Sequence, residues 1–132
     1  MARGSVRREV RIRRPAAEVW DLVGDPARVH EWFTGIVSCT VDGTNRQIVT
    51  GSGLSLSEQI LTNDPIQRRF QYRMTNSLFK EHLGTLDVID LHDGTCLVVY
   101  ATDADPRTMA LTIGGAAGSA LLALRERLEG AV

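Results

Sequence analysis

The chain has 132 residues, of which 43% are hydrophobic, and a formal net charge of -1. That size suits a single domain spanning residues 1–132, with enough apolar content for one core and a lined pocket. The near-neutral balance excludes long-range attraction to nucleic acid or an anionic membrane, and no apolar run approaches the roughly 20 residues of a membrane span.

Residues 5–13 read as the first strand, because Val6, Val10 and Ile12 share one face. The arginines of this segment (Arg3, Arg7, Arg8, Arg11, Arg13 and Arg14) make it basic. Most of those charges alternate with the apolar face, so they decorate the solvent side of a strand and make no nucleic-acid-reading motif. Pro15 then suits the first turn of a helix, where its missing N–H is no loss. Ala16, Val19, Trp20 and Val23 follow with the i, i+3, i+4, i+7 spacing of a buried stripe, and Gly24 ends it. Asp25 caps a second short helix that has Pro26 at its first position and Val29, Trp32 and Phe33 as its apolar side. Two short helices directly after a first strand form a wedge that props a curved sheet open.

From residue 36 the period changes to two. Strands are expected at 36–42 and 45–50, joined through Asp42-Gly43, then at 54–62 after a turn at Gly51-Ser52-Gly53. Asn63-Asp64-Pro65 turns into a strand at 66–74. A loop at 75–80 carries Leu78 and Phe79 and reads as a lid. Strands at 82–91 and 95–102 are joined by His92-Asp93-Gly94, completing an antiparallel meander. Asp105-Pro106 repeats the cap-and-proline signal. Met109, Ile113, Ala116, Ala117, Ala120, Leu121, Leu124 and Leu128 then make a helical stripe over 106–129. At a rise of about 1.5 Å per residue that helix is about 36 Å long, enough to cross the whole sheet. Gly114, Gly115 and Gly118 interrupt it, and each weakens a helix interior by roughly 1 kcal/mol relative to alanine. Close packing on the sheet accounts for them best, with mild bending near the entrance.

The result is an α+β helix-grip: a curved antiparallel sheet of about seven strands around a long C-terminal helix, with two short helices after strand 1. Several motifs in this order resemble the START-like SRPBCC superfamily, in its polyketide cyclase/dehydrase and lipid transport branch. They are Pro15-Ala16-Ala17-Glu18-Val19-Trp20, Asp25-Pro26, Trp32, Gly53 with Glu58, Phe70-x-Tyr72, Gly84-Thr85-Leu86-x-Val88 and Asp93-Gly94-Thr95. The resemblance covers nearly the whole chain and implies a hydrophobic ligand cavity between helix and sheet. It implies chemistry poorly, because one fold hosts many functions.

No complete catalytic constellation is present. Glu58 lies between Leu56 and Ile60 on a face that should be buried, and a turn centred on Ser52 sets Arg46 opposite it. The pair is either an internal ion pair that fixes register, or it holds a ligand-orienting or general acid/base carboxylate. Tyr72 and Tyr100 face inward, as core packing or as hydrogen-bond donors to a ligand. His82 is placed near the cavity mouth, as a rim residue or a proton-transfer group. These four, Glu58, Tyr72, Tyr100 and His82, are the catalytic candidates. The expected ligand-binding wall is Trp32, Phe33, Arg46, Glu58, Phe70, Tyr72, Leu86, Val98, Tyr100, Met109 and Ile113. Arg68 sits at the inward end of its strand, where it can anchor an acidic head group, whereas Arg69 and Arg73 point to solvent.

His30 and His92 read as solvent-facing, and the histidines share no metal-ligand spacing. No metal or other cofactor is expected. Cys39 and Cys96 form no CxxC and read as buried free thiols, which suits a reducing compartment. With no apolar signal-peptide core at the N-terminus, the expectation is a cytoplasmic monomer or homodimer whose partner is a hydrophobic small molecule. The leading function is binding of a lipid- or polyketide-like molecule. A polyketide cyclase, aromatase or dehydratase is the second, and a regulatory protein-interaction domain the third.

Overall fold

The computed structural model describes residues 3–130. β1 (Gly4–Ile12) leads into α1 (Ala16–Val23), a 3₁₀ turn at Pro26–Arg28 and α2 (Val29–Trp32). The meander follows as β2 (Ile36–Asp42), β3 (Asn45–Thr50), β4 (Ser55–Asp64), β5 (Arg69–Met74), β6 (Glu81–Asp90) and β7 (Cys96–Asp105), and then α3 (Arg107–Glu129). All pairs are antiparallel, in the order β1-β7-β6-β5-β4-β3-β2, so β1 and β2 are the two edges of one curved sheet. The chain passes from one edge to the other through α1 and α2, which pack on β6 and β2 respectively. This is the helix-grip architecture.

The wedge forms as its residues dictate. The Asp25 side chain accepts a hydrogen bond from the Ala27 N–H at 3.0 Å, and Pro26 occupies the first position of the 3₁₀ turn. The second helix is therefore shorter than its pattern suggests: a 3₁₀ turn followed by four α-helical residues. Val19, Leu22 and Val23 of α1 and Val29 and Trp32 of α2 are all buried.

Three expectations need correction. β4 runs on to Asp64, so Asn63-Asp64 is strand and the turn is 65–68. There Asp64 Oδ1 accepts from the backbone N–H groups of Ile66 and Gln67. Arg68, with φ 56°, belongs to that turn and not to the inward face of β5, so it is no cavity anchor. A bulge between Ile60 and Thr62 absorbs the extra residue and turns Leu61 to solvent. Asp105 does not cap α3 either. It pairs with Glu81 as the last residue of β7, and the helix starts after Pro106 with no side-chain cap.

α3 also meets the sheet along a different line. Its buried residues are Ala110, Gly114, Ala117, Ala120, Leu121 and Leu124, while Met109 is only half-buried and Ala116 is exposed. The reason is close approach to β1. A Cβ on Gly114 would lie 2.5 Å from Val6 Cγ1, so only glycine lets the helix sit down on that edge. Gly115 meets nothing within 4 Å, and its place in the helix has no packing explanation. By length and composition alone α3 is just apolar enough to pass as a membrane span, which is no evidence of one. It packs instead against β1 and β7 as the core helix of the grip.

Candidate functional site

Between the first half of α3 and the sheet lies a cavity of about 270 Å³. Its apolar wall includes Val29, Phe33, Ile36, Ile48, Leu56, Met74 and Ile113, and its polar groups are Arg46, Glu58, Tyr72, Tyr100, Thr50 and Thr112. Of the residues expected to form the wall, Phe33, Arg46, Glu58, Tyr72, Tyr100 and Ile113 are there. Trp32, Phe70, Leu86 and Val98 are buried in the core behind it, and Met109 lies outside the lining. Trp32 is one layer back: its ring packs on Phe33 at 5.8 Å and on Tyr100 at 6.4 Å between centroids. It supports the cavity floor and does not form it.

The polar end is built by register. β3 and β4 set Arg46 opposite Glu58, and the guanidinium Nε donates to Glu58 Oε1 at 2.6 Å. Both side chains are almost fully buried, at 4% and 3% exposure. Arg46 Nη1 also donates to the Pro26 carbonyl at 3.1 Å, which ties the wedge to the sheet. The guanidinium carbon lies 5.2 Å from the centroids of both Phe70 and Tyr72. Burial pushes the Glu58 carboxyl above the usual carboxylate range, and Arg46 opposes that rise.

Beside this pair the Tyr72 and Tyr100 hydroxyls hydrogen-bond each other. Tyr72 faces Gly84 on β6, and a Cβ there would lie 2.5 Å from Cε1 of the ring. Glycine at 84 is what lets the tyrosine lie across the neighbouring strand. Burial raises both phenols, with Tyr72 raised further by the neighbouring Tyr100 and Glu58. They are therefore proton donors, not bases, near neutral pH. Their mutual bond uses one of two hydroxyl protons and leaves the other for an acceptor in the cavity.

His82 is 7% exposed, so it is no rim residue. Its Nδ1 accepts the Met74 backbone N–H at 3.0 Å, and burial lowers it to about 4. It lines a separate pocket of about 310 Å³ beneath residues 75–80, which shares Met74 with the apolar cavity. The 75–80 loop covers this second pocket: Phe79 stacks edge-on against His82 at 5.2 Å, and Leu78 is exposed. Met74, on the inward face of β5 with Phe70 and Tyr72 by its period-two spacing, was not among the residues expected to form the wall; its backbone N–H orients the histidine, and it lines both spaces. Cys96 is buried and Cys39 half-buried, both with free thiols. Among the described residues, no three His, Cys, Asp or Glu side chains gather into a metal-sized cluster.

A family model described as polyketide cyclase/dehydrase and lipid transport matches residues 3–130, and the chain belongs to that family. No curated protein sequence matches it significantly. Among solved structures, a Thermobifida fusca protein is 30% identical over 93% of this chain and 91% of its own, with a TM-score of 0.76. The di-domain aromatase/cyclase BexL of the BE-7585A biosynthetic pathway is 20% identical, with a TM-score of 0.80. This chain covers 46% of it, with 95% of this chain aligned. Norcoclaurine synthase from Thalictrum flavum is 15% identical over 98% of this chain and 88% of its own, with a TM-score of 0.74. The last two show the SRPBCC-type fold alone.

Proposed function

We propose that this chain binds an apolar or amphipathic small molecule between α3 and the sheet. The observation that carries the reading is the cavity itself: an apolar wall with its buried polar groups, Arg46, Glu58, Tyr72 and Tyr100, gathered together. Its volume of about 270 Å³ sits just under the roughly 300–1,000 Å³ usual for small-molecule sites. The ligand is therefore a short or compact molecule. A spare phenolic proton at the polar end orients one acceptor oxygen on it. The free thiols suit the reducing, cytoplasmic setting we propose for it.

Native mass spectrometry of the chain purified from its host tests this. One small apolar adduct per chain is expected, or 1:1 uptake of added octanol. A bare chain that also refuses octanol overturns the reading.

Cyclase, aromatase or dehydratase chemistry is a second reading of the same cavity, favoured by the paired phenols beside a buried carboxylate. Tyr72 and Tyr100 would protonate a carbonyl oxygen while the wall folds the substrate. Turnover of a model poly-β-ketone that survives both Tyr72→Phe and Glu58→Ala removes this assignment.

A further inference from the structure

Two buried N–H donors near the 75–80 loop have no acceptor: His82 Nε2 and Asn76 Nδ2. Neither is an ambiguity of assignment. The Met74 backbone N–H donates to His82 Nδ1, so that nitrogen is unprotonated and the proton of the neutral ring sits on Nε2. The Leu78 backbone N–H donates to Asn76 Oδ1 at 3.1 Å, which fixes the amide and leaves Nδ2 as the donor. A buried donor without an acceptor is destabilising, and native proteins rarely keep one without a reason. Here both belong to residues that line the same pocket of about 310 Å³, as do Lys80 and Arg73. Lys80 has no ion-pair partner among the described residues, and Arg73 Nε donates to Gln59. The nearby carboxylates, Glu81 and Asp103, both face Arg3, at 3.6 and 3.7 Å.

We infer that the pocket formed by His82, Asn76 and Lys80 binds a carboxylate, held by the two unpartnered N–H donors and the lysine. A carboxylate is acceptor-only, and its two oxygens match two donors. The alternative anchor, Arg46, is already neutralised by Glu58 and held by the Pro26 carbonyl. Met74 lines both the pocket and the apolar cavity. A ligand with its carboxylate here would lay its tail past Met74 into the cavity, and that placement of the tail rests on the function proposed above. The favoured ligand class is thus a short apolar carboxylic acid.

The test uses the full chain and three probes, octanoate, octanol and acetate. It follows the His82 imidazole nitrogens by long-range proton–nitrogen NMR and the Ile113 methyls by proton–carbon NMR. Octanoate should shift both His82 Nε2 and Ile113, octanol Ile113 alone, and acetate His82 alone at higher concentration. Asn76→Asp keeps the acceptor for Leu78 and removes the donor, so it should weaken octanoate about tenfold and leave octanol unchanged. If octanoate and octanol move Ile113 alike while His82 Nε2 stays still, the carboxylate pocket is wrong and the cavity reading survives. If no probe moves Ile113 but acetate and octanoate move His82, the cavity reading fails and the carboxylate pocket stands. A His82 ring protonated on Nδ1 overturns the pocket outright.

Discussion

The two halves of α3 do different work with one helix. The second half is closed: Ala117, Ala120, Leu121 and Leu124 are fully buried, and that part of the core is continuous with Trp32 and the wedge. The first half is open. Gly114 and Ala110 dock on β1 through Val6 and Gly4, and this pins the helix to one edge of the sheet. Its other flank, Thr112, Ile113 and Ala116, faces space where the second half has side chains. The lesson is that small residues do not open the cavity by being small. They draw the helix toward β1, so the strands farther along the sheet lose their cover. Where cover is missing, the polar groups of β3, β4, β5 and β7 supply rigidity instead of packing.

If that contrast is right, stability in the open half should depend on charge and hydrogen bonding. The largest effect is expected from Glu58→Gln, which leaves Arg46 buried and unpaired and should lower unfolding free energy by about 3–5 kcal/mol in denaturant titrations. Replacing the pair together, Arg46→Met with Glu58→Leu, should recover most of that loss. An unchanged melting temperature for Glu58→Gln would show that the pair is solvated. In the closed half, Leu124→Ala should lower stability by about 3 kcal/mol through a cavity in packed core, with octanol binding unchanged.

Acidification should probe the boundary at Met74. The folded chain holds His82 at about 4, against about 6.5 in an unfolded chain. Between those values the unfolded state binds the extra proton, so stability falls as pH drops from 6.5 to 4, by roughly 3 kcal/mol at most. His82→Gln should remove that slope from urea midpoints measured across the range. Tyr72→Phe should change stability by only about 1 kcal/mol, since Tyr100 keeps its own proton and loses one hydrogen bond. The smallest stability effect belongs to Ala116→Trp, within about 0.5 kcal/mol because the position is exposed. It should nonetheless abolish octanol binding by filling the space, and unchanged binding would place the site elsewhere.

The same contrast explains what the sequence made legible. Strands with period-two alternation, such as β6 and β7, show their faces directly, and Asp25-Pro26 marks a cap whose bond is local. Asp105-Pro106 carries the same letters but is claimed by β7, whose pairing with Glu81 overrides the capping preference. The Arg46–Glu58 pair was readable because a hairpin turn fixes its own register. The cavity wall was not: Phe70 and Tyr72 share one face of β5, yet only Tyr72 touches the open space. That depends on where α3 lies, and α3 lies where Gly114 meets Val6. His82 was misplaced for a related reason, since its partner is a backbone N–H that no side-chain pattern reveals.

The most direct measurement is a methyl-resolved NMR titration of the chain with octanol. A cavity under the open half predicts saturable 1:1 shifts at Ile48, Leu56 and Ile113, with Leu121 and Leu124 unmoved. Shifts spread equally over both halves, or none at any of the five, would contradict it.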